Sequence, residues 1–163
     1  MDEPFRGDDL DPHPEPTRGR TVAHRRRVLV VDDNDVSAQC LALILRLEGY
    51  DARVALDGES ALEAARDFRP EVILTDIGLP GIDGHELARR IRQDRRLSSG
   101  LKLFAAVSGE TGAEVRRRSR EVGLDYHLAK PIDPETILAL LASVEWREPI
   151  VPEPSVPVRS DEA

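Results

Sequence analysis

The strongest constraint in this sequence is a fivefold alternation, between residues 27 and 147, of short apolar runs with segments whose apolar residues fall at helical spacing. Short apolar runs bounded by turn residues are typical of strands buried in a parallel sheet, and the intervening segments are typical of the helices that cover such a sheet. The pattern predicts an α/β fold, a doubly wound parallel sheet with helices on both faces. The predicted strands are residues 27–31, 53–56, 72–75, 103–107 and 124–128.

The segments between the strands carry helix start and stop signals. Gly49 marks the end of the first helix. Asp57 and Asp133 stand where N-caps are expected, one helix starts near Asp83, and Pro134 suits the first turn of the last helix. Segment 110–122 is the weakest helix prediction because it has few apolar residues. The residues predicted to face the core are Val36, Cys40, Ile44 and Leu47, then Ala61, Leu62, Ala65 and Phe68, then Leu87, Ala88 and Ile91, and finally Ile137, Leu138, Leu141 and Val144.

Composition divides the chain into a folded domain at 25–147 and two tails. Eight of the twelve prolines lie outside 25–147, and each tail has a net charge of −3, which leaves −2 for the middle. Segments rich in proline and charge cannot bury enough apolar surface to fold alone. We therefore expect disordered acidic, proline-rich tails at 1–24 and 148–163.

The same composition bears on location and partners. A nearly balanced middle and acidic tails argue against a nucleic-acid partner. No run of about 20 apolar residues is present to span a membrane, and the N-terminus has no signal-peptide apolar region. Cys40 is the single cysteine, so no intramolecular disulfide can form, and we expect it to be a core residue. These features predict a soluble cytoplasmic protein.

Three acids follow two of the predicted strands. Asp32 and Asp33 come directly after VLVV, and Asp76 comes after VILT. The carboxyl ends of parallel strands meet at one edge of the sheet, where ligands bind in open α/β folds. Three carboxylates brought together repel each other unless a cation joins them, and such an oxygen-rich site suits Mg²⁺. The alternative is that the first two acids only cap a helix and that Asp76 is a turn residue.

Two further polar residues end predicted strands. Ser108 follows FAAV, where its hydroxyl would either contact a phosphoryl oxygen or cap the next helix. Lys130 is more informative, because the chain has 21 arginines and only one other lysine, Lys102. A lysine at this position indicates a need for a compact ammonium rather than a planar guanidinium. A cis bond between Lys130 and Pro131 would aim that amine into the site.

Four motifs, VLVVDDND, ILTDIGLPGIDG, AVSGE and HLAKPID, stand in this order along residues 27–147. Together they resemble the receiver domain of bacterial response regulators, and they are most similar to the receivers of hybrid histidine kinases. The resemblance implies a flavodoxin-like fold with strand order 2-1-3-4-5. It also implies a two-component signalling protein that accepts a phosphoryl group rather than a classical enzyme.

The resemblance assigns roles to residues of this chain. It implies that Asp76 is the phosphoacceptor and that Ser108 and Lys130 contact the phosphoryl oxygens. It further implies that Mg²⁺ is held by Asp32, Asp33, Asp76 and the backbone carbonyl of Gly78. The conformational switch in such domains pairs the Ser or Thr with an aromatic residue three positions before the lysine. That position is His127 here, so the switch would be Ser108 and His127, and the alternative is that His127 is a partly exposed strand-end residue.

The resemblance also implies partners. The phosphoryl donor would be a histidine kinase or a histidine phosphotransfer protein. Only 16 residues follow residue 147, which favours a stand-alone receiver, similar to chemotaxis regulators, that signals by binding another protein rather than nucleic acid or a membrane. The signalling face would be the fourth helix, fifth strand and fifth helix. On this face we expect Arg116, Arg117, Arg118, Arg120 and Trp146.

Two other functions compete with this interpretation. One is a binding module on the same fold that works without phosphorylation. The other is a phosphatase of the haloacid dehalogenase type, which needs a second aspartate two residues after its nucleophile. That position holds Gly78 after Asp76, and Asn34 after Asp32. A dinucleotide-binding domain is excluded because no Gly-x-Gly-x-x-Gly follows the first strand. His13, His24 and His85 have no metal-ligand spacing and receive no role.

Overall fold

A computed structural model describes residues 25–146, and the predicted tails at 1–24 and 148–163 lie outside these residues. Its five strands form one parallel sheet in the order β2-β1-β3-β4-β5, which confirms the predicted fold. The order reverses between β1 and β3, so the crevice at their carboxyl ends is the expected ligand site. The strands are β1 (Arg27–Val31), β2 (Asp51–Ala55), β3 (Val72–Thr75), β4 (Leu103–Ser108) and β5 (Tyr126–Ala129).

Six helices surround the sheet within residues 25–146. The short α4 was not predicted; it forms because Asp94, which ends α3, caps a new turn by accepting a hydrogen bond from the Arg96 backbone N–H at 2.9 Å. The predicted fourth and fifth helices are therefore α5 and α6. The helices are α1 (Asp35–Leu47), α2 (Gly58–Phe68), α3 (Gly84–Gln93), α4 (Arg95–Ser98), α5 (Ala113–Glu121) and α6 (Pro134–Ala142).

Alternate strand residues point to opposite faces of the sheet and build two apolar layers. One layer joins Leu29, Ile73 and Phe104 to α2 and α3. The other joins Val28 and Leu74 to α1 and α6. The sheet is thus covered on both sides, which leaves the ends of the strands as the place where polar side chains can gather.

Side-chain caps fix where most of the helices begin. Asp57 and Asp133 are the N-caps of α2 and α6, as predicted; Asp83, near which a helix start was predicted, caps α3, and Asn34 caps α1. The four side chains accept backbone hydrogen bonds of 2.7–3.2 Å. A cap of this kind is worth about 1 kcal/mol. Helix α5 differs, because its N-cap is Gly112, which has no side chain to accept a hydrogen bond.

The predicted core face of α1 was wrong. Val36 and Leu47 are 74% and 77% exposed, and Cys40 is exposed as well. The residues that pack on the sheet are Ala38, Ala42 and Leu45. Small alanines let the helix approach the sheet closely. The larger residues Val36 and Leu47 therefore lie on the solvent-facing side of the helix. The same correction applies to the expectation that Cys40 is a core residue.

Three smaller predictions also differ from the structure. Strand β2 begins at Asp51, two residues earlier than expected, and β5 begins at Tyr126, two residues later. Trp146 does not lie toward α5: its ring centroid is 6.0 Å from that of Tyr50, beneath the Arg26 guanidinium. Tyr50 directly precedes β2, at the opposite edge of the sheet from β5.

None of the helices in residues 25–146 is long and apolar enough to cross a bilayer.

Candidate functional site

Three carboxylates meet at the carboxyl ends of β1 and β3. Asp32 follows β1, Asp76 follows β3, and the last residues of these two strands, Val31 and Thr75, are paired in register. Each acid, including Asp33, offers an oxygen within 4.8 Å of the others. Asp32 is buried, Asp76 is half-buried and Asp33 is exposed. The strand ends therefore bring the predicted acids together, at the point where the strand order reverses.

Lys130 reaches these acids from the edge strand of the sheet, β5. It follows β5, and its Nζ lies 2.8 Å from Asp76 Oδ2 and 3.0 Å from Asp32 Oδ2. The Lys130–Pro131 peptide bond is cis. Partial burial opposes the charge of the ammonium, but the hydrogen bonds to Asp76 and Asp32 prevail and raise the pKa of Lys130 above its ordinary value. The ammonium is therefore a fixed positive charge between two carboxylates.

The backbone around Asp76 is held closely. The Asp76 N–H donates to the Val31 carbonyl at 2.8 Å, and the Gly78 N–H donates to Asp76 Oδ1 at 3.2 Å. Gly84, the first residue of α3, packs directly on this turn: a Cβ there would overlap the Asp76 carbonyl oxygen and lie 2.8 Å from Ile77 Cα. Only glycine lets α3 approach so closely. The orientation of Asp76 thus depends on a residue eight positions away.

Ser108 ends β4 and is 2% exposed. Its Oγ accepts a hydrogen bond from the Glu110 N–H at 3.1 Å, which forms a short turn after the strand. The N-cap of α5 is Gly112, so the alternative prediction that Ser108 caps this helix is wrong. Ser108 is therefore tied to the β4–α5 loop, and its own O–H remains available to donate.

His127 is not simply an exposed residue at the end of a strand. Its Nε2 lies 2.8 Å from the Glu110 carbonyl oxygen, and its Nδ1 lies 2.9 Å from Ser119 Oγ. Ser119 in turn lies 2.9 Å from Nε2 of His85, and both of these residues are buried. Sequence reasoning gave His85 and Ser119 no role. The available signals were that His85 lies three residues before Ala88 on the core face of α3, and that Ser119 lies at helical spacing from Val115 and Val122.

The donor set fits a hard divalent cation. Asp32, Asp33 and Asp76 supply only oxygen ligands, and one ammonium leaves the four groups with a net charge of −2. Asp33 has no hydrogen-bond or ion-pair partner among residues 25–146, so its carboxylate is not committed elsewhere. Carboxylate oxygens and a surplus of negative charge are what Mg²⁺ and Ca²⁺ require.

The buried His85 predicts a dependence of stability on pH. Burial lowers its pKa below the ordinary 6.5, and the charge of Arg118 acts in the same direction. The unfolded chain then binds the proton more tightly, so stability present above pH 6.5 is lost as the pH falls through this value, by at most about 1.4 kcal/mol per pH unit for one proton. Urea denaturation at pH 7.5 and 5.5 should show this loss, and His85→Gln should reduce it. An equal loss in both proteins would contradict the assignment.

Comparison with known proteins agrees with this geometry. Residues 28–142 match the response regulator receiver domain. The DNA-binding response regulator MtrA of Mycolicibacterium smegmatis is 36% identical over 115 residues, which cover 71% of this chain and 48% of that protein. The transcriptional regulatory protein PhoP of Bacillus subtilis, which is named for alkaline phosphatase synthesis, is 33% identical over 137 residues, or 84% of this chain and 55% of that one. The chain spans about half the length of the curated relatives it matches.

Solved structures give the same result. Vibrio cholerae chemotaxis protein CheY4 superimposes with a TM-score of 0.69 at 30% identity and covers 74% of this chain and 99% of its own. A Burkholderia pseudomallei response regulator described with a phosphorylated aspartic acid and a calcium ion has a TM-score of 0.64 at 31% identity, and the match covers 70% of this chain and 65% of that one.

These matches bear on two expectations about partners and organisation. These two relatives, a DNA-binding response regulator and a transcriptional regulatory protein, are longer than the matched region, so the comparisons do not support the expectation that the protein has no nucleic-acid partner. The expectation of a stand-alone receiver without an output domain is likewise not confirmed. Receiver domains are phosphoacceptors rather than classical enzymes, which leaves the phosphatase alternative without support. The chain belongs to the response regulator receiver family and carries the receiver domain of a two-component system.

Proposed function

We propose that the protein accepts a phosphoryl group on Asp76 and acts as a phosphorylation-dependent switch in the cytoplasm. The observation that carries this proposal is the position of Lys130 Nζ, 2.8 Å from Asp76 Oδ2 and 3.0 Å from Asp32 Oδ2, in a cluster of three carboxylates. An ammonium so placed can neutralise charge on a phosphoryl group attached to Asp76. The phosphorylated aspartic acid in the Burkholderia pseudomallei relative supports the same chemistry.

The reaction is a phosphoryl transfer from nitrogen to oxygen. A carboxylate oxygen of Asp76 attacks the phosphorus of a phosphohistidine on a histidine kinase or a histidine phosphotransfer protein. The new P–O bond gives an acyl phosphate, and the P–N bond breaks as the imidazole leaves. Lys130 stabilises charge on the phosphoryl oxygens, and Ser108 donates its O–H to one of them. Attack by water on phosphorus later releases inorganic phosphate and restores Asp76.

The acidic cluster would hold Mg²⁺ during this reaction. Asp32, Asp33 and Asp76 are the side chains available to it, and the Gly78 carbonyl is the backbone ligand that the resemblance implies. When bound, Mg²⁺ supplies positive charge to the phosphoryl oxygens and offsets the repulsion between the phosphoryl group and the carboxylates.

Neutralising Asp33 tests metal binding independently of the Lys130 contacts. Asp33 is exposed and makes no contact with Lys130, so Asp33→Asn should leave the Lys130 contacts intact. In EDTA the variant should be more stable by about 1 kcal/mol, the repulsion of two unit charges 4–5 Å apart in water. Added Mg²⁺ should raise the Tm of the natural protein and leave that of the variant nearly unchanged. Calorimetry with and without Mg²⁺ measures both, and an equal Mg²⁺ shift in the two proteins would contradict the site.

The proposal is tested by intact-mass analysis after incubation with acetyl phosphate and Mg²⁺. One phosphoryl group should be gained by the natural protein and by none of the controls, which are Asp76→Asn and the natural protein in EDTA. A gain that survives Asp76→Asn would place the acceptor elsewhere. No gain from acetyl phosphate or from any phosphorylated kinase would favour a binding module that works without phosphorylation.

Signalling would use the face formed by α5, β5 and α6. Arg117 pairs with Glu114 and Glu121 on α5, whereas Arg116, Arg118 and Arg120 have no ion pair within residues 25–146. These three arginines are exposed and give the face a positive charge available to a partner. The partner is either a separate protein or an output domain such as those of the DNA-binding relatives.

A further inference from the structure

A chain of four hydrogen bonds leads from the end of β4 through α5 to α3. It begins at Ser108, whose Oγ accepts from the Glu110 N–H at 3.1 Å. The Glu110 carbonyl oxygen lies 2.8 Å from His127 Nε2, and His127 Nδ1 lies 2.9 Å from Ser119 Oγ. Ser119 Oγ is then 2.9 Å from His85 Nε2. A residue at the phosphoryl site is thus connected, without interruption, to a buried histidine of α3.

For a neutral His127, the Glu110 carbonyl fixes the direction of the bonds that follow it. A carbonyl can only accept, so His127 Nε2 must carry a hydrogen. In the neutral imidazole Nδ1 is then an acceptor, and the Ser119 O–H donates to it. The Ser119 oxygen accepts from His85 Nε2–H. With both imidazoles neutral, each bond has one donor and one acceptor only when both rings carry their hydrogen on Nε2. Burial, which lowers the pKa of His85, favours this neutral form.

Helix α5 depends on these hydrogen bonds for its attachment to the core. Ser119 is the only buried residue of the helix, and no side chain caps its N-terminus. Its anchor to the core is therefore a hydroxyl group held by two histidines rather than a set of apolar side chains. Elements with few buried apolar contacts move at low cost. A change in the hydrogen bonds of Ser119 would therefore displace α5 more easily than a similar change would displace a helix that is packed by leucines.

There is room for the loop before α5 to move. A cavity of about 250 Å³ lies between the turn after Asp76 and the start of α5. Glu110 and His85 both line it, together with Gly78 and Arg118. The loop that carries Glu110 is therefore not packed tightly against the acidic site.

We propose that Ser119 and His85 are positioning residues that connect the phosphoryl site to α5 through His127. The proposal rests on the proposed phosphorylation of Asp76. When Ser108 turns its hydroxyl to a phosphoryl oxygen on Asp76, Glu110 shifts with it because the Glu110 N–H is bonded to Ser108 Oγ. The Glu110 carbonyl then moves relative to His127, and Ser119 carries the change to α5 and to His85. The new element is the Ser119–His85 arm, which extends the response beyond His127.

The test is ¹⁵N–¹H NMR of the imidazole rings in the full chain, before and after treatment with acetyl phosphate and Mg²⁺. His85→Gln and His127→Asn assign the two sets of signals. Before treatment, at a pH where the rings are neutral, both should be Nε2–H tautomers. After treatment, both rings should shift in the natural protein, whereas in Ser119→Ala the His127 signals should shift and the His85 response should be lost. Ser119→Thr, which keeps the hydroxyl, should restore the His85 response.

Intact mass of each NMR sample separates this proposal from the proposed function. A phosphorylated natural protein whose His85 signals do not move would overturn the Ser119–His85 arm and leave the phosphoacceptor role intact. An Nδ1–H tautomer at His127, or a His85 response in Ser119→Ala equal to that of the natural protein, would overturn it as well. A natural protein that gains no phosphoryl group would overturn the proposed function, and with it the role of Ser119 and His85 in transmitting phosphorylation to α5.

Discussion

Replacing Lys130 by Met should slow phosphorylation of Asp76 by about two orders of magnitude, the usual cost of removing one group that stabilises charge in a transition state. The ammonium touches both Asp76 and Asp32, so its loss removes the charge that would stabilise the phosphoryl oxygens and also exposes the carboxylates to each other's repulsion. Initial rates of phosphoryl incorporation from acetyl phosphate, followed by intact mass at fixed Mg²⁺, measure the effect.

The chain offers a matched control in its only other lysine. Lys102 precedes β4, at the opposite end of the strand from Ser108, so Lys102→Met removes the same charge without touching the site and should react at the natural rate. Lys130→Arg should recover only part of the rate, because a planar guanidinium does not replace a compact ammonium between two carboxylates. Equal rates for Lys130→Met and Lys102→Met would contradict the role of Lys130.

Gly84→Ala should both destabilise the protein and slow its phosphorylation. The added Cβ would overlap the Asp76 carbonyl oxygen and come within 2.8 Å of Ile77 Cα, and both obstacles are backbone atoms that cannot rotate away. Overpacking of this kind costs about 3 kcal/mol. If α3 shifts to make room, the turn after Asp76 shifts with it, so the carboxylate loses its alignment with Lys130. Urea denaturation measures the first effect and acetyl phosphate incorporation the second.

Gly100→Ala is the control for this substitution. A Cβ at Gly100 has no neighbour within 4 Å, and the residue lies outside the site, so the variant should match the natural protein in stability and in rate. If Gly84→Ala were as stable and as reactive as Gly100→Ala, the close contact between α3 and the Asp76 turn would not have the structural role assigned to it.

The sheet and the acidic cluster could be predicted from the sequence because each depends on a local pattern. An apolar run followed by a polar residue places Asp32 and Asp76 at strand ends, and parallel topology brings strand ends together. The caps at Asp57 and Asp133 were predictable for the same reason, since a cap bonds only to residues two or three positions away.

The features that sequence reasoning missed depend on distant partners. The phase of α1 was misjudged because larger residues were preferred over the alanines that fit against the sheet, as at Ala38. The roles of His85 and Ser119 follow from the approach of α3 to α5 and β5: His85 lies 34 residues before Ser119 in the sequence. A polar residue on the apolar face of a helix indicates that a partner must exist, but only the assembled fold identifies it.

The central claim, that Asp76 is the phosphoacceptor, is tested most directly by locating the phosphoryl group. Borohydride reduces an acyl phosphate to an alcohol with release of phosphate, so it leaves a stable mark on the aspartate that was phosphorylated. Fragment masses of the peptide that spans Asp67, Asp76 and Asp83 then identify the marked residue. We expect the mark on Asp76 alone, and only after treatment with both acetyl phosphate and Mg²⁺. A mark on Asp32, Asp33 or any other residue, or a phosphoryl group that borohydride does not remove, would contradict the account.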